Sequence, residues 1–181
     1  LLFGSLMDHE QKRGRAERAL RTAALTDPLT AIPNRRAFEE ATLTRKGQRH
    51  LALFIIDIDH FKKINDNHGH DAGDFVLRRC AGVLPHCLNQ GDIAARLGGE
   101  EFGVIISAPD RPEALRRGEL LCHTLRAEVA YEGQTIAVTV SVGGYYSNER
   151  EFDAEYFLRR ADEALYKAKR AGRDQSLLVG R

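Results

Sequence analysis

The sequence has no excess of either charge and contains few cysteines. Its 27 Lys and Arg residues almost balance its 26 Asp and Glu residues, which gives a formal net charge of +1. A chain with so little net charge offers no case for a nucleic-acid surface or an acidic tail. The three cysteines, Cys80, Cys87 and Cys122, lie in apolar stretches without metal-binding spacing. An odd count of this kind indicates reduced, buried thiols in a cytosolic domain.

Long hydrophobic runs, internal repeats and low-complexity segments are also missing from the sequence. Leu1–Gly4 is too short for a membrane span, although it is consistent with the remnant of a span or of an upstream helix. We therefore expect a cytoplasmic domain, either free or as the cytoplasmic portion of a membrane-anchored protein. What is present is a hydrophobic fraction of 43% in 181 residues, enough for one domain with a core plus an extension.

Residues 8–25 have a helical pattern and a high density of charge. With Leu6, which lies just before them, these residues form a thin apolar stripe that also contains Ala16, Leu20, Ala23 and Ala24. Such a stripe is typical of a coiled-coil seam or a linker to another domain, and a frayed terminal helix is the competing interpretation. We divide the chain into an N-terminal helix, residues 1–25, and a folded domain, residues 26–181.

The rest of the chain alternates between strand and helix patterns. Leu51–Ile56 is a continuous apolar run, which predicts a central strand covered on both faces. Further strands are predicted at residues 92–97, 102–106, 134–146 and 177–179. Helices are predicted at residues 35–44, 60–67, 75–88, 112–129 and 153–171, with a polar turn at residues 68–74. This order predicts an α/β or α+β fold with a mostly antiparallel sheet flanked by helices.

The stretch Arg96–Phe102 joins two predicted strands through a turn that contains Gly98 and Gly99. Two strands separated by such a turn predict a β-hairpin. Glycine backbone lets a bulky anion approach closely, but the adjacent acids Glu100 and Glu101 would repel phosphate unless a cation lay between them. The turn therefore suggests a metal–phosphate site, and an ordinary solvated hairpin tip is the alternative.

Two further carboxylates end the predicted central strand. Asp57 and Asp59 are two residues apart, so their side chains share a face. Asp59 precedes a helix and has the simpler interpretation of an N-cap. Asp57 closes an apolar run and needs a partner, which a hard cation with oxygen ligands would provide. If the hairpin lies beside this strand, Asp57 and Glu100 converge on one metal ion.

Polar residues after the central strand have the chemistry to bind a guanine base. Lys62 and Asn65 are three residues apart and share a helix face. Asn65 offers a donor and an acceptor, and Asp74 can accept from guanine N1–H and N2–H. Taken singly, Asn65 is also explained as a cap or turn residue and Asp74 as an N-cap. At the end of the last helix, Lys169 and Arg173 are four apart and could hold phosphates, or could simply complement the helix dipole.

Together these residues resemble a known family. Arg96–Phe102 resembles the GGDEF signature of diguanylate cyclases in its GGEEF form, and Asp57–Asp74 resembles the second long signature of that family. Asp27–Arg36 resembles its opening block and Ala161–Arg173 its closing helix. A lone GGEEF is weak evidence, whereas four ordered blocks over about residues 26–176 are specific.

The resemblance implies a fold related to adenylyl cyclases and polymerase palms. It implies that two GTP molecules condense into cyclic di-3′,5′-guanylate with release of two pyrophosphates, and that Mg²⁺ or Mn²⁺ is the cofactor. One site holds one GTP, so the reaction implies a homodimer, which the helix at residues 1–25 would help to form. It further implies an N-terminal sensory or membrane domain in the full-length chain and no nucleic-acid partner.

The resemblance also implies a role for each matching residue. Asp57 and Glu100 would bind the metal through carboxylates and Ile58 through its carbonyl. Glu100 would assist loss of the 3′-OH proton, and Lys62 would neutralise charge in the transition state. The substrate-binding residues would be Phe61, Asn65, His70, Asp74, Gly98, Gly99, Lys169 and Arg173. Asp59 fits a supporting role better than ligation.

The sequence departs from the family pattern at Asn89–Asp92. Many members have Arg-x-x-Asp here, a product-binding inhibitory site; Asp92 is present, but Asn89 replaces the arginine. An amide cannot supply the charged bidentate contact of arginine, so we expect an incomplete site and weak product inhibition. Three alternatives remain: a silent receptor for GTP or cyclic dinucleotide, a cyclase for ATP or mixed nucleotides, and an interaction module.

Overall fold

A computed structural model describes residues 2–149 and 152–181, with the side chains of residues 11–17, 19–149 and 152–181. The helices are α1 (Leu2–Leu25), α2 (Arg35–Leu43), α3 (Phe61–His68), α4 (His70–Val83), α5 (Arg111–Leu125) and α6 (Ala154–Arg170). The strands are β1 (Leu51–Ile58), β2 (Ile93–Gly98), β3 (Glu101–Ser107), β4 (Ala127–Tyr131), β5 (Gln134–Val138), β6 (Val140–Ser147) and β7 (Ser176–Gly180). A 3₁₀ turn, Leu84–Cys87, follows α4.

Five strands form the central sheet in the order β2-β3-β1-β6-β7, and β4 pairs with β5 in a separate two-stranded sheet. The central pairs are antiparallel except β6–β7, which is parallel. This arrangement confirms the predicted fold class, a mostly antiparallel sheet flanked by helices.

β1 is the centre of the sheet because its apolar run is buried on both faces. All eight of its residues are buried. Since side chains alternate along a strand, Phe54 and Ile56 join the core under α4 and α5, whereas Leu53 and Ile55 join a second core with α2 and α6. Fully burying one such side chain contributes about 1.5–3 kcal/mol. The two cores together fix β1, and so its polar C-terminal end.

α6 lies directly against β6 because Gly143 has no side chain. A Cβ at Gly143 would overlap the backbone of Leu165 and Ala161. The helix begins at the N-cap Asp153, whose carboxylate accepts from the backbone N–H groups of Glu155 and Tyr156. From there α6 crosses the sheet and brings its basic last turn to the C-terminal end of β1.

Several predicted boundaries are wrong. Residues 70–74 form the first turn of α4 rather than part of a polar turn, and the helix predicted at residues 112–129 ends at Leu125. The single strand predicted at residues 134–146 is two strands, because β5 pairs with β4 while β6 pairs with β1. An alternating pattern predicts strand conformation, but it does not say when the chain changes from one sheet to another.

α1 extends over residues 2–25, and the described part of its apolar stripe faces solvent. Leu20 is 72% exposed, and Ala16, Ala23 and Ala24 are also exposed. The side chain of Leu6 lies outside the described residues. The coiled-coil interpretation therefore stays a prediction. Within the described part of the chain, no helix combines the length and apolar composition needed to cross a membrane.

The three cysteines are buried and free of disulfides. Burial raises the pKa of the Cys80 and Cys122 thiols to about 11. Because the thiolate is the reactive form, both thiols act as small core side chains rather than nucleophiles.

Candidate active site

The turn of the β2–β3 hairpin is held in a conformation that favours glycine. Gly98 has φ +143° and Gly99 has φ +52°, values that L side chains rarely adopt. No atom lies within 4 Å of the position that a Cβ would take at either residue. The glycines therefore meet a backbone requirement and leave open space beside the turn, where a large anion can approach.

The hairpin lies beside β1, as the predicted convergence requires. Asp57 pairs with Glu101 in the β1–β3 register, and the Ile58 N–H donates to the Glu100 carbonyl over 3.3 Å. The predicted metal ligands Asp57, Ile58 and Glu100 therefore lie together where β1 meets the turn. Their roles as ligands stay predictions.

Asp57 forms an ion pair with Lys169 from the end of α6. The Lys169 Nζ lies 2.8 Å from Asp57 Oδ2, and the Asp57 side chain is only 10% exposed. Burial raises the pKa of Asp57; the hydrogen bond from Lys169 opposes the rise, and the charges of Glu100 and Asp59 add to it. An ammonium group thus occupies the position where a cation would neutralise this carboxylate.

Glu101 belongs to the same cluster, although the sequence analysis placed it in the turn without giving it a role as a ligand. Burial, and then the charges of Asp57 and Asp162, raise the pKa of Glu101 against the opposing effects of Lys169 and Arg35. Burial also raises the pKa of Asp162. The signal that could have identified Glu101 is the hairpin register, because the first residue of β3 must face the last part of β1.

The oxygen atoms of the predicted ligands Asp57, Ile58 and Glu100 fit a hard cation that keeps part of its hydration shell. Among the described residues, no group of three His, Cys, Asp or Glu side chains is arranged to hold a metal ion by itself. Two carboxylates and a carbonyl oxygen are nevertheless what Mg²⁺ commonly takes from a protein when waters and substrate phosphates complete its octahedron. The Asp57 and Glu100 carboxylates with the Ile58 carbonyl match that set.

Asp59 is not an N-cap, because α3 begins after His60. Its buried carboxylate accepts from Thr139 Oγ1 over 2.8 Å, from Ser141 Oγ over 2.7 Å and from the Asp174 N–H over 3.0 Å. The donors thus come from the start of β6, from the residue just before it and from the turn after α6. Asp59 lies beside the metal-binding candidates, but its oxygens are already satisfied by these groups.

The candidate base-binding residues lie on α3 and α4, which pack closely at Gly73. A Cβ at Gly73 would overlap the Asn65 side chain and crowd the Phe61 ring, so glycine lets the two helices approach. Asp74 lies inside α4 and is not an N-cap, and its nearest cation is Arg78 at 4.0 Å. Lys62 and His70 are exposed on the same pair of helices.

Lys169 and Arg173 do not share a helix face, so that part of the prediction is wrong. α6 ends at Arg170, and Arg173 lies beyond it with φ +66°. The Arg173 N–H donates to the Ala168 carbonyl over 3.1 Å, which turns the chain back toward the sheet. Arg173 is exposed, so its side chain remains available to an anion beside the site.

Arg96 links the hairpin turn to the start of the domain. Its Nη2 donates to the Gly99 carbonyl over 2.9 Å, and its Nη1 lies 3.2 Å from both carboxylate oxygens of Asp27. Burial would raise the pKa of Asp27, but hydrogen bonds from Thr30 and Arg96 outweigh it and lower the pKa. The arginine that begins the signature stretch therefore stabilises the turn, a role that the local pattern did not reveal.

Asp92 is engaged within the protein rather than displayed on its surface. Its side chain is 2% exposed, and Arg117 Nη2 on α5 lies 2.6 Å from Asp92 Oδ2. The backbone N–H groups of Asn89 and Ser107 also donate to its carboxylate. Asp92 therefore already has partners within the protein, while weak product inhibition itself stays a prediction.

Comparisons with known proteins agree with this geometry. The family described as "Diguanylate cyclase, GGDEF domain" matches residues 24–175. Diguanylate cyclase DgcP of Pseudomonas aeruginosa is 45% identical over 167 residues, which are 86% of this chain and 24% of that protein. The chain thus spans about a quarter of that curated relative.

Two solved structures are similar over most of this chain. One is the coiled coil and GGDEF domain of DgcB from Caulobacter crescentus in complex with c-di-GMP. It is 31% identical with TM-score 0.86, and the match covers 98% of this chain and 97% of that one. The other is diguanylate cyclase SiaD of Pseudomonas aeruginosa in complex with its activator SiaC. It is 34% identical with TM-score 0.82, and the match covers 97% of this chain and 70% of that one.

Proposed function

Because the chain belongs to the GGDEF family of diguanylate cyclases, we propose that it condenses two GTP molecules into cyclic di-3′,5′-guanylate and releases two pyrophosphates. The observation that carries this proposal is the meeting of Asp57, Ile58 and Glu100 beside an open glycine turn. Phosphoryl transfer asks mainly for positioning and charge stabilisation, and this site has both carboxylates and cations to supply them.

Mg²⁺, for which Mn²⁺ can substitute, is the proposed cofactor. The ligands would be the carboxylates of Asp57 and Glu100 and the carbonyl of Ile58, and Glu101, which pairs with Asp57 across β1 and β3, is a further candidate. When bound, the ion polarises the phosphoryl oxygens and acidifies the attacking hydroxyl. Lys169 would then leave Asp57, because a divalent cation and an ammonium group compete for the same oxygens.

The chain's own residues carry the remaining chemistry. Glu100, at the tip of the hairpin, accepts the proton from the 3′-OH that attacks the α-phosphorus. Lys62, exposed on α3, places a positive charge near the transferred phosphoryl group and stabilises the charge that develops there. Both side chains reach the surface: Lys62 is exposed and Glu100 is partly exposed.

Guanine recognition is assigned to α3 and α4. Asp74 accepts from N1–H and N2–H of the base, Asn65 meets the remaining polar edge, and His70 lies at the start of the same helix. Adenine presents an unprotonated N1 where guanine has N1–H, so an acid at this position disfavours ATP. The close contact between α3 and α4 at Gly73 fixes the position of Asn65 relative to Asp74.

The triphosphate is assigned to the open side of the hairpin turn. Gly98 and Gly99 allow it to approach the backbone, and Lys169 and Arg173 supply positive charge. Phe61, half-buried at the start of α3, completes this part of the site.

Catalysis needs a second copy of the chain. One protomer offers one GTP site, and the two GTP molecules must face each other for mutual attack. The exposed stripe of α1 is the proposed device that brings protomers together, as part of the helix at residues 1–25 that precedes the catalytic domain at residues 26–181. We further propose that this is the cytoplasmic catalytic part of a longer signalling protein with an N-terminal sensory or membrane domain.

Incubation with GTP and Mg²⁺ followed by chromatography tests the activity. Glu100→Gln should lower the rate of cyclic di-GMP formation about a thousandfold or more, because the substitution removes a metal ligand and proton acceptor from the transition state. Glu119→Gln, at an exposed carboxylate of α5, is the matched control and should retain full activity. Product formation by Glu100→Gln at the parental rate would remove Glu100 from the mechanism. GTP binding without product would favour the receptor alternative.

A further inference from the structure

Asp59 is a buried carboxylate that the proposed mechanism does not use. It is only 4% exposed, yet it lies two residues beyond Asp57 at the end of β1. A buried carboxylate is costly unless hydrogen bonds satisfy its oxygens. Here three neutral donors do so: the hydroxyls of Thr139 and Ser141 and the backbone N–H of Asp174.

The third donor belongs to a turn with an unusual backbone. Arg173 has φ +66° and Asp174 has φ +49°, so two consecutive non-glycine residues are left-handed. Such residues are conformationally strained and persist where surrounding contacts require them. We call residues 172–174 the phosphate turn, because Arg173 is its exposed cation.

Contacts from separate elements hold the phosphate turn. Arg173 N–H donates to the Ala168 carbonyl, and the Asp174 N–H donates to Asp59. From the other side, Arg126 Nε donates to Asp174 Oδ1 over 2.8 Å. The Arg126 side chain is 47% exposed, so Asp59 is the buried and therefore less replaceable of the two anchors on Asp174.

The two hydroxyl donors tie the same carboxylate to the sheet. Thr139 and Ser141 flank Val140, the first residue of β6, and the Asp59 N–H donates to the Thr139 carbonyl over 2.9 Å. Asp59 therefore joins the metal-binding end of β1, the start of β6 and the phosphate turn through one side chain. Its position in the fold is set independently of any ligand.

We propose that Asp59 is a positioning residue that holds the phosphate turn in its left-handed conformation and so presents Arg173 to the triphosphate of GTP. This inference rests on the proposed function, in particular on the assignment of Arg173 to phosphate. Asp59 touches neither the base nor the reacting atoms. Its loss should therefore weaken binding of the β- and γ-phosphates and leave the base-binding helices unaffected.

Calorimetry in the presence of Mg²⁺ tests the proposal with two unreactive probes. One is 3′-deoxy-GTP, which lacks the attacking hydroxyl, and the other is 3′-deoxy-GMP, which lacks the outer phosphates. Asp59→Asn removes one acceptor at nearly constant volume. We expect it to weaken 3′-deoxy-GTP binding about tenfold, the effect of one hydrogen bond and the turn it orders, and to change 3′-deoxy-GMP binding less than about twofold.

A double-mutant cycle with Arg173→Ala separates positioning from a merely structural effect. If Asp59 acts through Arg173, the double variant should bind 3′-deoxy-GTP no more weakly than Arg173→Ala alone, because coupled residues are not additive. Fully additive losses, equal losses for both probes, or no loss in Asp59→Asn would each overturn the proposal. If Arg173→Ala itself leaves 3′-deoxy-GTP binding unchanged, the phosphate assignment has failed, and the inference falls with it.

Two further variants guard against a loss of folding. Thr139→Val removes one donor to Asp59 without changing the acid, and it should give the same pattern on a smaller scale. The control is Thr42→Val, which removes a buried hydroxyl of α2 that donates to the Glu39 carbonyl. This variant should leave both affinities unchanged. In the ligand-free protein, Asp59→Asn should accelerate hydrogen exchange at the Asp174 amide, and unaltered exchange there would contradict the proposal without reference to GTP.

Discussion

Lys169 is shared between two anionic partners, the Asp57 carboxylate and the proposed triphosphate. Its ammonium group is 2.8 Å from Asp57 Oδ2, and its side chain is 32% exposed. An exposed ion pair contributes little, whereas a buried and unpaired carboxylate is costly. Lys169 thus neutralises Asp57, and the proposed metal ion would compete with it for this carboxylate.

Lys169→Met should therefore have opposite effects on metal and nucleotide binding. Without nucleotide, Mn²⁺ affinity should rise roughly fivefold, since a competing cation is removed. Affinity for 3′-deoxy-GTP should fall, since a phosphate ligand is lost. Paramagnetic resonance of Mn²⁺ measures the first effect and calorimetry the second. Lys167→Met, at an exposed lysine of the same helix, is the control, and an unchanged Mn²⁺ affinity in Lys169→Met would refute the competition.

At the scale of elements, the loop before β2 is fastened to α5. The buried pair between Asp92 and Arg117 joins them, and Arg117 also donates to the Cys87 carbonyl over 2.8 Å. Because its contacts lie within the protein, the Asp92 carboxylate orders the loop rather than serving as a free ligand-binding group. The same position that resembles part of an inhibitory site thus has a structural role in this chain.

Asp92→Asn should destabilise the domain by about 3–5 kcal/mol, because it leaves the buried Arg117 guanidinium without a counter-charge. Urea unfolding measures this loss. Product binding by calorimetry should be weak in both the parent and the variant. Glu113→Gln, which breaks the exposed pair with Arg116, should change stability little. A submicromolar product affinity that Asp92→Asn abolishes would show instead that Asp92 serves the ligand.

At the scale of the whole molecule, stability should depend on pH through the acids around β1. Burial raises the pKa of Asp57, Glu101 and Asp162 above ordinary values of 3.8 for Asp and 4.5 for Glu. A carboxyl whose pKa is higher in the folded state stabilises that state while protonated. This contribution to stability is complete when the pH is below the ordinary pKa values. It is lost as the pH rises through the raised pKa values of the folded state.

The metal-free protein should therefore lose part of its stability as the pH rises from about 4. Mg²⁺ should restore the lost stability once the carboxylates are ionised. The ion should therefore raise the melting temperature more at about pH 8 than at about pH 5. Asp57→Asn should reduce both effects. An equal shift by Mg²⁺ at the two pH values would contradict the assignment of the metal to this cluster.

Activity should also depend on the encounter of two molecules. Activity per protomer should rise with protein concentration, because each protomer offers one GTP site. Deleting residues 1–24 should lower activity at a given concentration if α1 pairs protomers through its exposed stripe. Initial rates over a dilution series, with sedimentation to measure the dimer fraction, test both expectations. Constant specific activity in a verified monomer would disprove the half-site arrangement.

The sequence by itself was sufficient for the features that depend on near neighbours. The apolar run of β1, the glycine turn between β2 and β3 and the start of α2 at Arg35 are all present as predicted. These patterns are local because strand and helix periodicities extend over only a few residues. The sheet class and the candidates Asp57 and Glu100 follow from them.

Only the tertiary structure decided which distant groups meet. Lys169 reaches Asp57, Arg117 reaches Asp92, and the Asp174 amide reaches Asp59 across 115 positions of sequence. No local period relates such residues, because strand order, sheet register and the path of α6 over Gly143 determine their separation. Arg173 lies in a left-handed turn, so it does not share a helix face with Lys169 as predicted. The contact between Asp174 and Asp59 is one of the long-range contacts that hold this turn.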